Sequence, residues 1–217
     1  MVELRAAQDV EALQQVMRRG GRTGAPRSFG LVHAFLALYR IDENAQISRE
    51  KLGMQLGLGS GAIKSLISKL QESRLLKTSR AGNVLSEKGR KVVKGLRSVV
   101  PVVSEVSVRR ISTGRKNVAA VVRGVNSNDI RPIAIRDEVV RAGGSGATTL
   151  LFDGKSISVP KVYDDLAKVS SLDAKVLSRL NLRKGDIIVV AGGKNLQMAS
   201  VACVAAVVDF LSKQNLA

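Results

Sequence analysis

The chain has 217 residues and carries 35 Lys plus Arg against 18 Asp plus Glu, a net charge of +17 with a pI near 10.7. Apolar residues reach 45%, enough for one or two ordinary cores, while aromatics stop at 3% with no Trp, which disfavours base-stacking platforms for single strands. One Cys and one His exclude a disulfide framework and a Cys/His zinc site, and neither a metal nor another cofactor is expected.

A charge of this size speaks to partners, nucleic acid first. Residues 1–100 hold 18 basic and 8 acidic side chains, net +10, and residues 101–217 hold 17 and 10, net +7. With no basic-then-apolar leader and no 18-residue apolar run, the expected protein is soluble and cytoplasmic, with no membrane partner.

In chain order, Asp9 caps a short helix with Val10, Leu13 and Met17 inward. Gly20 to Pro26 breaks it, and Arg18, Arg19, Arg22 and Arg27 make residues 1–27 a basic helix and arm, suited to phosphate or minor-groove contacts. Ser28 is expected to cap a second helix reaching about Arg40. Its Leu31, Val32, Phe35, Leu36, Leu38 and Tyr39 cover most of the circumference, which places it at the centre of the first core. His33 there reads as packing or surface.

Ser48 then caps a short helix with Leu52 and Leu56 inward, ending at Gly57. After the Leu58-Gly59 turn, Ser60 caps a helix in which Ile63, Leu66, Ile67 and Leu70 fall at i, i+3, i+4 and i+7. The other face is small, polar or basic: Ser60, Gly61, Lys64, Ser65, Ser68 and Lys69. Two short helices joined by a Gly turn, the second with a basic face, form a helix-turn-helix pattern. The run from Gly57 to Ser65 lacks the Gly-Lys-Ser/Thr ending of a phosphate loop. Leu75 to Ser79, a turn at Arg80-Ala81-Gly82-Asn83, and Val84-Leu85 read as a β-hairpin. Leu85-Ser86-Glu87-Lys88-Gly89-Arg90 opens a closing helix with Val92, Val93 and Leu96 inward.

On this order of elements and the Leu85–Arg90 phrase, residues 28–100 resemble a winged-helix domain of prokaryotic transcription regulators. The resemblance implies that Ser60, Lys64, Ser65, Ser68 and Lys69 face the major groove, with Lys77, Arg80 and Asn83 on the wing. No Arg, Asn or Gln sits in the first half of that helix, so modest base reading is expected. Limited discrimination by one copy points to a homodimer on two half-sites, with Val92, Val93 and Leu96, Leu13 and Met17, or the C-terminal helix as its surface.

Residues 101–217 read as a small α/β domain. Asn117–Val122 and Ile187–Val190 are buried strands, Val102–Val108 is a strand or connector, and Ile133–Ala142 is a helix. Ala147–Val159 is a hairpin turning at Asp153-Gly154, Asp173–Leu180 is a helix, and Leu196–Leu211 closes the chain. The phrases Arg136-Asp137, Ala142-Gly143, Gly146 to Leu150 and Asp153-Gly154-Lys155 are similar to a poorly characterised archaeal domain that accompanies winged helices. Gly192, Gly193, Lys194 and Asn195, between a buried strand and a helix, are the expected site for a small anionic effector, with Arg123 or Arg136 as a second clamp. A second acid-free stretch, Val106 to Asn128, holds Arg109, Arg110, Arg115, Lys116 and Arg123. Cys203 reads as a buried thiol, and one His cannot supply a Ser-His-Asp set, so no catalytic residue is assigned.

The expected fold class is α+β: a winged helix-turn-helix followed by a small α/β domain. The expected function is a DNA-binding transcription regulator with a ligand-sensing or oligomerisation domain, binding double-stranded DNA. The alternative is an RNA-, ribosome- or chromatin-associated basic protein without base-specific readout.

Overall fold

A computed structural model describes residue 13, residues 29–126 and residues 129–214. The fold is α+β, and the chain divides into two compact units, the first ending at Leu96 and the second starting at Arg97.

In the first unit, α1 (Leu31–Asn44) is buried continuously from Ala34 to Tyr39, and the Phe35 and Tyr39 rings stack with centroids 4.4 Å apart. A helix apolar all round belongs inside, as its sequence required. The expected cap, Ser28, lies outside the described residues. Gly30 occupies the cap position, and its N–H donates to His33 Nδ1 at 3.3 Å. His33 is therefore a capping acceptor, and burial lowers its pKa from the ordinary 6.5. A group held neutral in the folded state contributes stability that is complete above pH 6.5 and is lost progressively as the pH falls from there through the lowered folded-state pKa. Thermal melts between pH 7.5 and 5 should show this loss, and His33→Gln, which keeps an acceptor but does not titrate, should flatten it.

Helix α2 (Arg49–Leu56) starts at Ser48, whose hydroxyl accepts from the Lys51 N–H at 3.2 Å, and stops at Gly57, left-handed with φ 66°. Glycine takes that conformation with no Cβ penalty. In α3 (Ser60–Glu72) the cap position belongs to Gly59 rather than Ser60, and Ile63, Leu66, Ile67 and Leu70 are buried as their spacing demands. Strands β1 (Leu76–Ser79) and β2 (Gly82–Leu85) are antiparallel and joined by Arg80-Ala81 alone, a tighter turn than the sequence suggested. Ile47 adds a rung to this hairpin, exchanging both backbone hydrogen bonds with Asn83.

The entry into α4 (Glu87–Val99) is a lock. The Ser86 hydroxyl donates to the Arg74 carbonyl at 2.6 Å and accepts the Gly89 N–H at 2.9 Å. Lys88 Nζ donates to the Ser73 carbonyl at 3.1 Å, and Arg90 donates to the Leu85 carbonyl at 2.9 Å. A Cβ on Gly89 would overlap the Leu75 carbonyl oxygen. The Leu85–Arg90 phrase thus ties the end of α3, the hairpin and α4 together.

The second unit contains β3 (Val102–Glu105), β4 (Lys116–Val122), α5 (Pro132–Arg141), β5 (Gly146–Phe152), β6 (Ile157–Ser158), α6 (Leu166–Val169), α7 (Ser171–Ser178), β7 (Ile187–Gly193) and α8 (Leu196–Gln214). The sheet order is β3-β4-β7-β5-β6, and every pair is antiparallel. On one face Ala119, Val121, Leu150, Ile188 and Val190 join Val106, Ile111, Leu166 and Leu177 in one core. On the other, α8 covers β4 and β7 while α5 packs on β5 and α8. Cover on both faces explains why β4 and β7 are nearly uninterrupted apolar runs.

Although no such run was expected, α8 is long and apolar enough to cross a membrane. Burial of Ala199, Ala202, Cys203 and Ala206 accounts for that hydropathy as core packing. The Cys203 thiol donates to the Val189 carbonyl at 3.6 Å, and burial pushes its pKa up to about 12.

Candidate nucleic-acid interface

An open groove of about 520 Å³ lies between α3, the β1–β2 hairpin and the start of α2. Lys64, Ser68 and Gln71 form one wall, Thr78 and Arg80 the other, and Arg49 and Glu50 the end. Three cations against one carboxylate make it basic. Lys64, Ser68 and Arg80 are exposed and meet there, as expected for residues on the outward side of α3 and the hairpin tip. Arg49 and Gln71 escaped the sequence reading. Arg49 is the first residue after the Ser48 cap, and that position was the available signal.

Asn83 lies on the hairpin as expected and borders the groove, but at 2% exposure its side chain serves the frame. Gln71 Nε2 donates to Thr78 Oγ1 at 2.9 Å, Thr78 Oγ1 donates to Asn83 Oδ1 at 2.7 Å, and Asn83 Nδ2 donates to the Ile47 carbonyl at 3.1 Å. This relay fixes the hairpin against α3, so the two groove walls keep their spacing.

The remaining expected residues divide by position. Ser60 and Ser65 are exposed outside the groove lining, and the Ser65 hydroxyl donates to the Gly61 carbonyl at 3.0 Å. The Ser68 hydroxyl donates to Glu72 at 3.1 Å. Strand alternation puts Lys77 on the hairpin face opposite Thr78, and Lys69 is half-buried near the end of α3. Arg18, Arg19, Arg22 and Arg27 lie outside the described residues, as does Met17.

The expected effector site is corrected. Gly192 and Gly193 do not form an open turn; they are buried strand residues, and a Cβ would run into Thr113 and Gly114 at Gly192 and into the backbone of Ala199 at Gly193. The Asn195 side chain accepts the Met198 N–H at 2.8 Å and so caps α8 itself. Lys194 is exposed. Arg123 follows Val122, which pairs with Ile187, whereas Gly192 pairs with Asn117; about 17 Å of strand separates the two ends. Asp186, 1% exposed, accepts from Arg123 Nε at 2.9 Å and Nη2 at 2.8 Å, and this raises the Arg123 pKa. Arg136 is exposed and pairs with Asp137 at 3.4 Å. Arg123 is thus held by Asp186 at the far end of the strand and does not clamp an anion at Gly192 to Asn195. The apolar residues expected to support a dimer are likewise covered: Leu13, Val92, Val93 and Leu96 are all buried within one chain, as is most of α8.

Residues 113–210 match a family described as a domain of unknown function (DUF4443). No curated protein matches the chain. The structure is similar to that of a hypothetical protein from Pyrococcus horikoshii OT3, with a TM-score of 0.71 at 21% identity, covering 86% of this chain and 95% of that one. That similarity establishes a shared fold.

Proposed function

We propose that the chain is a DNA-binding transcription regulator whose residues 29–96 act as a winged helix on duplex DNA. The observation that carries this reading is the groove in which Arg49, Lys64 and Arg80 converge between α3 and the hairpin. Helix α1, the Ile47 rung, α2, α3, hairpin and α4 follow in the order that a winged helix requires. In that arrangement α3 enters the major groove and the hairpin tip meets the sugar-phosphate backbone.

The outward side of the first half of α3 offers Lys and Ser but no bidentate base reader, so phosphate contacts dominate and affinity falls steeply with salt. Modest base readout calls for two copies on adjacent half-sites, and the second unit then serves assembly or effector sensing. The same base-poor face favours one other reading, a ribosome-, RNA- or chromatin-associated protein that recognises backbone alone. Mobility shifts of genomic fragments against duplex DNA and structured RNA competitors separate the two. Regulator function requires that a specific fragment survive excess nonspecific duplex and RNA; equal competition by all three contradicts it.

A further inference from the structure

The second unit carries a basic loop that the groove does not use. Residues 106–116 contain Arg109, Arg110, Arg115 and Lys116 and no acid. All four are exposed. Lys116 pairs with Glu105 at 2.8 Å and Arg110 donates to the Tyr163 hydroxyl at 3.3 Å. Among the described residues the Arg109 and Arg115 guanidinium groups have no acidic partner.

Solubilising charge needs no fixed backbone, yet this loop is fixed from several directions. The Asp173 carboxylate, 1% exposed, accepts three successive N–H groups: Arg109 at 2.9 Å, Arg110 at 2.8 Å and Ile111 at 3.1 Å. Thr148 donates to the Ile111 carbonyl at 3.1 Å, and Thr113 donates to the Gly146 carbonyl at 2.8 Å. Asn117 accepts the Thr113 N–H at 3.3 Å and donates to Ser112 Oγ at 2.9 Å and to the Gly114 carbonyl at 3.2 Å. Gly114 rests directly on the backbone of Gly192 and Gly193. Charge on a preorganised loop loses little entropy when it meets a ligand.

Glu105, paired with Lys116, lines a hollow of about 220 Å³ together with Ser107, Arg109 and Arg115, and that lining holds no aromatic ring. It suits a single phosphate group and offers no stacking surface to a base. We infer that the 106–116 loop is a second nucleic-acid contact, in which Arg109 and Arg115 hold backbone phosphodiesters. This extends the nucleic-acid reading to the second unit and does not depend on α3.

The test is a salt titration of intact protein on labelled duplex DNA and duplex RNA. It compares the parent, Arg109→Ala with Arg115→Ala, Arg109→Lys with Arg115→Lys, and Lys64→Ala with Arg80→Ala. Losing two phosphate contacts lowers the salt slope by about 1.8, so between 50 and 200 mM salt the parent's affinity falls about 12-fold more than the Ala pair's. The Lys pair should restore most of the slope, and melting temperatures should not move. The arm with the larger effect identifies the nucleic acid. If only the groove pair changes binding, the loop inference is wrong and the proposed function stands. If only the loop pair changes binding, the reverse holds. A Lys pair as weak as the Ala pair would assign the effect to loop packing and overturn the inference.

Discussion

Gly89→Ala is expected to destabilise the first unit by about 3 kcal/mol, the scale of overpacking against atoms that cannot yield. The new methyl group would overlap the Leu75 carbonyl oxygen, and Leu75 is held on both sides: its N–H donates to Leu70 and its carbonyl accepts from Ser86. Relieving the clash therefore means moving the end of α3, the hairpin or α4, which the Ser86, Lys88 and Arg90 hydrogen bonds resist together. Circular dichroism melts should place the variant on the order of 10–20 °C below the parent. Gly61→Ala is the control. Nothing lies within 4 Å of a Cβ there, so relief of backbone entropy in an exposed helix should stabilise by about 0.5–1 kcal/mol.

Lys64→Ala with Arg80→Ala should weaken duplex binding by about 30-fold at 150 mM salt, from two lost phosphate contacts with a slope of about 0.9 each. Both side chains are exposed, so the melting temperature should stay within a degree or two of the parent's. Asn83→Ala should act differently. It removes the acceptor for Thr78 and the donor to Ile47, loosening the hairpin, and should lower stability by about 1–3 kcal/mol together with affinity. A groove pair that binds like the parent would move the interface away from α3.

The first unit was legible because its signals are local. Ser48 and Gly57 bracket α2 within nine residues, and the Ile63–Leu70 spacing fixes the buried side of α3. Asn83 was read into the turn because turn length depends on pairing: the Ser79 to Gly82 rung leaves only two residues outside the strands. The glycine pair at 192–193 gave the wrong function for a similar reason. Glycine marks both ligand cradles and close backbone crossings, and the crossing segment, Thr113-Gly114, is nearly 80 residues away in sequence. Asp173 was invisible as an organiser because the amides it accepts lie more than 60 positions earlier. The sequence did isolate the 106–128 basic stretch, but only the anchoring by Asp173 and Asn117 distinguishes a built surface from solvated charge.

Contact between duplex DNA and both α3 and the hairpin is open to photocross-linking of the intact protein to bromodeoxyuridine-substituted genomic fragments, followed by peptide mapping. Adducts within residues 60–82, reduced by Lys64→Ala with Arg80→Ala, are the predicted result. Adducts confined to residues beyond 100, or no retained duplex at 100 mM salt, would contradict it.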